Sequence, residues 1–251
     1  MHPVSTYLLT FNSEKYLEII LERVAPVSDE LLIVDSGSSD STIEIAKRFG
    51  AQVYRRSLDD FVSQRRYALE RCTHDLVLVL DSDEVPNAAF VDALASIKES
   101  ETIADAYRVC MHFTVLGKRV HSFFTVPRNP AYLIRVFRKS QTSFAEGRLV
   151  HETPRAVGEV PTMEGEIDHH TFESREELER KLTLYGDLAA EQLRRSGRRS
   201  RWWQRLAYPP AAFFKWYVLK GGWRDGHVGL ILGAYAARYT HRKYRAQTSL
   251  D

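Results

Sequence analysis

The first hundred residues alternate short apolar runs with amphipathic helical patterns, and this alternation constrains the fold more than any other feature. Residues 4–10, 31–34, 51–55 and 75–80 are predicted to be strands, and the apolar runs at 31–34 and 75–80 are typical of buried ones. Helical patterns follow Asn12, Asp40 and two of the later strands, with Asn12 and Asn87 as expected N-caps. We therefore expect an α/β fold with a mostly parallel sheet and helices on both faces.

Polar side chains occupy the carboxyl ends of all four predicted strands: Thr10, Asp35, Arg55 and Asp81. In open α/β sheets, ligands bind in the crevice at those ends. The sequence contains neither G-x-G-x-x-G after the first strand nor G-x-x-x-x-G-K-[ST], which argues against a dinucleotide enzyme and a P-loop NTPase. The pattern predicts a nucleotide site of another kind.

Asp81 and Asp83 flank Ser82 directly after the last of these apolar runs. Because side chains alternate along a strand, we expect both carboxylates to face one site. Hard oxygen ligands suit Mg²⁺ or Mn²⁺, and Mg²⁺ typically binds one or two carboxylates plus substrate phosphates. The sequence therefore predicts a metal site that holds a diphosphate. The alternative is an acidic turn after a core strand.

The bulk composition is that of a globular protein with a sizeable core, because 44% of the 251 residues are hydrophobic and 27% are charged. The length fits one large α/β domain, with or without a C-terminal extension. The two cysteines, Cys72 and Cys110, lack metal-ligand spacing and favour a reducing compartment. The first residues lack a signal-peptide layout, and no long apolar run appears, so we expect a cytoplasmic location without a spanning helix.

The C-terminal part is strongly basic. Residues 194–245 carry 13 lysines and arginines against one acid, Asp225, although the whole chain has a net charge of +2. This split favours an anionic partner, either a membrane surface or nucleic acid. Aromatic residues are interleaved with the cations, which is typical of segments in a membrane interface. Pro209-Pro210 and Gly221-Gly222 are expected to divide the segment into short helices. The alternative is a helical subdomain that packs its aromatics on the sheet.

The first-half motifs resemble those of the inverting nucleotide-sugar glycosyltransferases of family 2, which have the GT-A fold. Four motifs occur in the family's order: Leu9-Thr10-Phe11-Asn12-Ser13-Glu14, Ile33-Val34-Asp35-Ser36-Gly37-Ser38-Ser39-Asp40-Ser41-Thr42, Gln64-Arg65, and Leu80-Asp81-Ser82-Asp83-Glu84. Within the family, the chain looks closest to bacterial lipopolysaccharide core β-1,4-glucosyltransferases. That finer resemblance rests on Val150-His151-Glu152, Asp168-His169-His170-Thr171-Phe172 and a spaced pattern from Pro210 to Gly229.

The resemblance implies roles for the matched residues. Thr10 and Asp35 would contact the uridine, with Asp35 on the uracil ring. Asn12 and Glu14 belong to the same donor-binding loop, and Arg65 would lie near the nucleotide. Asp81 would support the ribose or the metal, and Asp83 would be the main metal ligand. Arg66 departs from the family, which usually has Asn at this position. Glu84 extends the acidic cluster, and we expect it to support Asp81 and Asp83 rather than to contact the metal.

Inverting transfer requires a base for the acceptor hydroxyl, on the sugar face opposite the leaving diphosphate. The resemblance points to Glu152, which matches the family's His-Glu position, with His151 orienting the base or touching the diphosphate. Glu146 is the fallback. We expect His169 to contact the diphosphate or the acceptor rather than to pair with His170 on a metal. Arg135 and Arg138 are expected to be solvated charges at a strand edge, or else phosphate contacts.

Together these features predict a hexosyltransferase with three regions. Residues 1–190 would form the GT-A domain, with a nucleotide-sugar half at 1–100 and an acceptor half at 101–190, and residues 191–251 a basic, aromatic, membrane-interfacial helical extension. The expected reaction moves glucose from UDP-glucose to a lipopolysaccharide or lipooligosaccharide core acceptor, with Mg²⁺ or Mn²⁺. A lipid-linked oligosaccharide and the anionic inner face of the cytoplasmic membrane are the expected partners, and nucleic acid is not.

Three rival interpretations remain open at this point. The first is another family 2 transferase with a polyprenyl-phosphate or polysaccharide acceptor. The second is a non-enzymatic nucleic-acid-binding protein that uses the basic tail, which leaves the paired carboxylates unexplained. The third is a nucleotidyltransferase, which typically has a glycine-rich first loop, whereas residues 8–14 contain no glycine.

Overall fold

The computed structural model describes residues 1–121, 123, 130–143, 155–156, 158–195 and 201–245. These residues form strands and α-helices in the following order: β1 Val4–Thr10, α1 Glu14–Val24, β2 Glu30–Asp35, α2 Thr42–Arg48, β3 Gln52–Arg55, α3 Phe61–Arg71, β4 Leu76–Asp81, β5 Glu84–Pro86, α4 Ala88–Glu99, β6 Ala106–Val115, β7 Lys118–Arg119, β8 Ala131–Arg138, β9 Thr142–Ser143, β10 Arg155–Ala156, β11 Thr162–Phe172, α5 Arg175–Arg195, α6 Trp202–Phe214 and α7 His227–Arg245.

The first compact unit comprises Met1–His112 and Tyr132–His169. Its strands β3, β2, β1 and β4 lie side by side in that order, and all three pairings are parallel. The α/β alternation predicted from the sequence is confirmed. Beyond β4 the order continues β8, β6, β11 and β5, and the β4–β8 and β11–β5 pairs are antiparallel. The sheet is therefore mixed, with its parallel part formed by the first four strands of the alternation.

The core of this unit lies on the parallel strands. Every residue of β1 is buried, and α1 buries Leu17, Ile20, Leu21 and Val24, which follow helical spacing. A close approach at β11 adds a backbone constraint, because Gly165 has a φ of +93° and a Cβ there would lie 2.2 Å from the backbone nitrogen of Phe90. Only glycine fits that contact without a shift of α4 or β11.

The two expected helix caps have different outcomes. Asn87 caps α4 as predicted, since its side chain accepts a hydrogen bond from the Phe90 amide. The Asn12 prediction is wrong, because α1 begins after Ser13 and Asn12 has a φ of +49°. Asparagine tolerates that left-handed conformation better than most residues. It turns the loop after β1 rather than capping the helix.

The second compact unit comprises Phe113–Ala131 and His170–Asp251. A chain of ring contacts runs through it, from Phe113 stacked on Phe123 at 4.7 Å between centroids, to Phe172 and then Tyr235, each 5.9 Å from the ring before it. The buried Asp225 carboxylate accepts hydrogen bonds from the amide and the imidazole of His121. Aromatic packing and this buried acid organise the turn that precedes α7.

Pro209 and Pro210 lie inside α6, so the prediction that they break the segment is wrong. The helix continues from Phe214 into a π-helical segment, Lys215–Leu219, and only then ends. The break predicted at Gly221-Gly222 is present, with Gly221 at a φ of +76°. Gly229 of α7 passes so close to the Gly222 carbonyl that a Cβ would overlap it. Gly229 thus allows α7 to pack against the Gly222 backbone, whereas Gly221 supplies a left-handed turn.

Among the described residues, no helix combines the length and apolar character needed to cross a membrane. The predicted division at residues 100 and 190 concerns donor, acceptor and membrane roles, and it stays a prediction.

Candidate active site

The carboxyl ends of the parallel strands carry the predicted polar residues. Thr10, Asp35, Arg55 and Asp81 are the last residues of β1, β2, β3 and β4. Asp35 is fully buried, and its carboxylate accepts hydrogen bonds from the Thr10 hydroxyl at 3.0 Å and from the amides of Gly37 and Ser38 at 3.0 and 2.9 Å. These bonds tie the loop after β2 to the ends of β1 and β2.

The loop after β1 is tied to the loop after β2. The Asn12 amide donates to the Ser38 hydroxyl, and the Asn12 side chain accepts from the Ser39 amide at 2.9 Å. Glu14 accepts from the Ser41 amide at 3.0 Å, while its own amide donates to Asp40. Asn12 and Glu14 therefore shape the crevice wall by cross-linking two loops.

Arg65 of α3 reaches the end of β4, where its guanidinium lies 2.6 Å from the Asp81 carboxylate. Burial raises the pKa of Asp81, but Arg65, Arg135 and His169 outweigh it and the pKa is lowered overall. Asp83 lies in the turn between β4 and β5, so the strand-alternation argument does not apply to it. Asp81 is nevertheless ionised and Asp83 is partly exposed, as a cation site requires.

Glu84 forms a buried ion pair with Arg135 of β8, with Glu84 at 0% and Arg135 at 12% side-chain exposure. The pair is bidentate, at 2.7 Å and 2.5 Å, and Glu84 also accepts the Asp81 amide at 3.2 Å. The prediction of a solvated edge charge is wrong for Arg135, because β8 lies next to β4 and brings it inside. Arg138 instead pairs with Asp75, at the opposite end of β4.

We call residues 81–84, at the junction of β4 and β5, the acidic turn. His169 of β11 lies beside it, with its Nε2 atom 3.4 Å from Asp83 and its Nδ1 atom 3.8 Å from Glu84. Burial lowers the pKa of His169, but the carboxylates of Asp83, Glu84 and Asp81 raise it to about 9. Without a metal ion on Asp83, these carboxylates favour the imidazolium form at neutral pH. A cation at this position can contact an anionic group but cannot act as a metal ligand unless it loses its proton.

The acidic turn fits a hard divalent cation. Asp83 offers a partly exposed carboxylate whose described ionic neighbour is His169, and Asp81 is ionised beside it. Carboxylate oxygens of this kind are what Mg²⁺ and Mn²⁺ prefer. Glu84 does not fit the role of a ligand, since both of its oxygens bind Arg135.

The predicted catalytic base, Glu152, lies outside the described residues, as do His151 and the fallback base Glu146. Their roles stay predictions.

Two residues of the crevice, Ser13 and Gln64, were missed as site residues. Ser13 is buried and donates to the Ser82 hydroxyl at 2.8 Å, which ties the loop after β1 to the acidic turn. Gln64 is fully buried and donates to the Arg56 carbonyl and the Ser36 hydroxyl. Both lie within the quoted motifs, so their position beside the assigned residues was the available signal.

Residues 5–149 match the model of glycosyl transferase family 2. This match covers more than half of the chain, so the protein belongs to this family. The chain is 27% identical to an uncharacterized glycosyltransferase of Rickettsia typhi, over 94% of this chain and 84% of that protein. It is 26% identical to the lipopolysaccharide core biosynthesis glycosyltransferase LpsC of Rhizobium meliloti, over 94% and 88%.

Among solved structures, glucosyl-3-phosphoglycerate synthase of Mycobacterium tuberculosis is similar to 45% of this chain and 44% of its own, with 24% identity and a TM-score of 0.37. One of its crystal structures contains Mn²⁺, UDP-glucose and phosphoglyceric acid.

Family membership confirms the predictions of an enzyme, of a hexosyltransferase of family 2 and of the GT-A class of α/β fold.

Proposed function

We propose that the protein transfers glucose from UDP-glucose to a lipopolysaccharide or lipooligosaccharide core acceptor, by an inverting single displacement. The observation that carries this proposal is the crevice at the carboxyl ends of β1 to β4, where Thr10, Asp35 and Arg65 adjoin the acidic turn at Asp83. The relative named for lipopolysaccharide core biosynthesis, matched over nearly the whole chain, supports the acceptor class.

The donor-binding roles follow from the contacts of the loops. The Asp35 carboxylate already accepts hydrogen bonds from Thr10, Gly37 and Ser38. Part of its role is therefore to hold these residues in place around the uracil ring of the donor. Asn12 and Glu14 keep the loop after β1 against the loop after β2. Arg65 holds Asp81 toward the ribose. Preorganised groups of this kind lower the cost of binding because they need not order themselves.

Asp83, with Asp81, would hold Mg²⁺ or Mn²⁺, which would neutralise the charge that develops on the leaving diphosphate. His169 lies beside Asp83, and in its protonated form it would add positive charge near the leaving diphosphate. Arg135 keeps Glu84 from competing for the cation and so leaves Asp83 as the outward-facing carboxylate. The sequence-predicted base, Glu152 with His151 beside it, would accept the proton of the acceptor hydroxyl.

The first test is a donor screen. Purified protein is incubated with UDP- and GDP-hexoses, with and without Mg²⁺ or Mn²⁺, and release of the nucleoside diphosphate is measured. UDP-glucose should be hydrolysed slowly only when metal is present, and faster when truncated lipooligosaccharide is added. Metal-dependent turnover of a different donor would replace the sugar assignment, and no turnover of any donor would contradict the proposal.

The second test compares matched substitutions. Asp83→Asn and Glu152→Gln should each abolish transfer while the far-UV circular dichroism stays unchanged. Asp92→Asn, on the exposed side of α4, is the control for an equivalent loss of one carboxylate and should keep full activity. Near-normal turnover of Glu152→Gln would show that another group is the base.

We also propose that the enzyme is peripheral on the cytoplasmic face of the inner membrane, through the second unit. Apolar side chains of α6 face solvent along one side, with Trp202 72%, Leu206 69% and Phe214 53% exposed. Three exposed cations, Arg201, Lys215 and Arg224, lie on the same segment, residues 201–225. Trp and Phe with Arg and Lys on a helix are suited to an anionic membrane interface, and each cation near the surface adds about 1 kcal/mol of attraction.

Liposome flotation tests this attachment. The protein should float with vesicles of phosphatidylglycerol and phosphatidylethanolamine at low salt and much less with phosphatidylcholine vesicles. Replacement of Trp202, Leu206 and Phe214 by serine should abolish flotation, whereas Leu58→Ser, an exposed apolar residue of the first unit, should not change it. No binding to anionic vesicles at low salt would contradict the proposal.

A further inference from the structure

A cluster of three different ligand types lies on β6 and β11, away from the acidic turn. Cys110 and His112 are two residues apart on β6, so they project from the same face of the strand. Glu166 of β11 meets them, and one ligand atom from each of the three residues lies within 4.8 Å of the other two. His169 is three positions from Glu166 on β11, so its side chain projects from the opposite face.

Two of the three distances between the ligand atoms are close to those around a tetrahedral zinc ion. Zinc binds sulfur at about 2.3 Å and nitrogen or carboxylate oxygen at about 2.0–2.2 Å, so tetrahedral geometry separates sulfur from nitrogen by roughly 3.6 Å and nitrogen from oxygen by roughly 3.4 Å. The Cys110 sulfur lies 3.6 Å from Nε2 of His112, and that nitrogen lies 3.2 Å from Oε1 of Glu166. The third distance, between the Cys110 sulfur and the Glu166 carboxylate, is at most 4.8 Å.

We propose that Cys110, His112 and Glu166 form a Zn²⁺ site with an open fourth position. Three protein ligands plus one water or substrate atom is the usual composition of an open zinc site. The partial exposure of His112 and Glu166, 19% and 39% of their side chains, leaves room for that fourth ligand.

The chemistry of the donors separates this site from the proposed donor-metal site. Thiolate and imidazole select zinc and similar borderline or soft ions, whereas carboxylates alone suit Mg²⁺ and Mn²⁺. Because β6 and β11 are neighbours in the sheet, a bound ion would join the two strands directly. Zinc should therefore stabilise the folded chain without replacing Mg²⁺ or Mn²⁺ at Asp83.

The test uses Co²⁺ as a spectroscopic substitute for Zn²⁺ in the metal-free, full-length protein. One equivalent of Co²⁺ should give visible bands of a tetrahedral ion and a near-ultraviolet sulfur-to-cobalt charge-transfer band, and Zn²⁺ should displace both. Cys110→Ser should remove the charge-transfer band, and Glu166→Gln should weaken binding at least tenfold. Cys72→Ser, which changes the other cysteine, and Asp83→Asn should leave both signals unchanged. An absent charge-transfer band, or one that Cys110→Ser leaves intact, would overturn the site.

A second measurement needs no substitution. The Cys110 thiol is partly exposed and Cys72 is buried, so a thiol reagent should modify Cys110 first in the metal-free protein. Stoichiometric Zn²⁺ should slow this reaction at least tenfold, and excess Mg²⁺ should not. Equal modification rates with and without Zn²⁺ would show that the three residues only hydrogen-bond to one another.

Discussion

The Glu84–Arg135 ion pair provides a quantitative test of how the acidic turn is held. Glu84 is completely buried, and its two oxygens bind Arg135 and the Asp81 amide. Glu84→Gln removes the charge but keeps the size of the side chain, which leaves the Arg135 guanidinium buried without its counter-ion. Removal of one partner of such a pair typically costs about 3–5 kcal/mol. That is a large part of the roughly 5–15 kcal/mol that stabilises a typical folded protein.

The assay is urea unfolding followed by far-UV circular dichroism. Tryptophan fluorescence alone would not suffice, because all four tryptophans lie at residues 202–223, in the second unit. Glu84→Gln and Arg135→Met should each lower the free energy of unfolding by about 3 kcal/mol or more, and the double variant should lose less than the sum. A double-mutant cycle gives the coupling directly.

Glu18→Gln is the matched control, because Glu18 pairs with Arg48 at 2.9 Å and both side chains are about half exposed. Such surface pairs contribute about 0–1 kcal/mol, so the control should change stability little. If Glu84→Gln cost no more than Glu18→Gln, and the two losses at Glu84 and Arg135 added without coupling, the pair would be solvated and the reasoning refuted.

Three further predictions follow from other contacts. Gly165→Ala should destabilise the protein by at least about 2 kcal/mol, because it combines a positive φ with a clash against Phe90, whereas Gly50→Ala, with a positive φ and open space, should cost less; urea unfolding measures both. Acid should lower the melting temperature, in part through Asp29. Burial raises the pKa of Asp29, but hydrogen bonds from Lys98 and the Val4 amide lower it overall, so the stability that Asp29 contributes is complete at neutral pH and is lost as the pH falls below about 4. Asp29→Asn should therefore make the melting temperature depend less on pH in that range. EDTA should reduce UDP-glucose hydrolysis to background, and excess Mg²⁺ or Mn²⁺ should restore it in the wild type but not in Asp83→Asn; activity that survives EDTA would exclude the metal role.

The parallel half of the fold could be predicted because its signals are local. β2 and β4 lie in short apolar runs, and all four parallel strands end on the predicted polar residue, as for Thr10 and Asp35. Asp81 was assigned correctly to the end of β4, but Asp83 was assigned to a strand when it lies in a turn. Periodicity cannot locate the residue at which a strand stops.

The pairing of Glu84 with Arg135 could not be predicted, because it depends on which strand lies next to β4. The two residues are 51 positions apart, and β8 joins the sheet antiparallel after β5, α4 and β6 have intervened. Asn12 shows the opposite limitation: its residue type suits both a helix cap and a left-handed turn, and only the contacts with Ser38 and Ser39 select the turn.

The two prolines within α6 limit how deeply this helix can enter a lipid layer. Pro209 and Pro210 have no N–H group, so the carbonyls of Arg205 and Leu206, four residues earlier, receive no helical hydrogen bond from them. A backbone carbonyl without a partner costs several kcal/mol in hydrocarbon, whereas water among the lipid headgroups satisfies it. If α6 attaches the protein to a membrane as proposed, the helix backbone should rest at headgroup depth, with the exposed side chains of Trp202 and Phe214 as its apolar contacts. An acceptor sugar attached to a lipid would be met at that same depth.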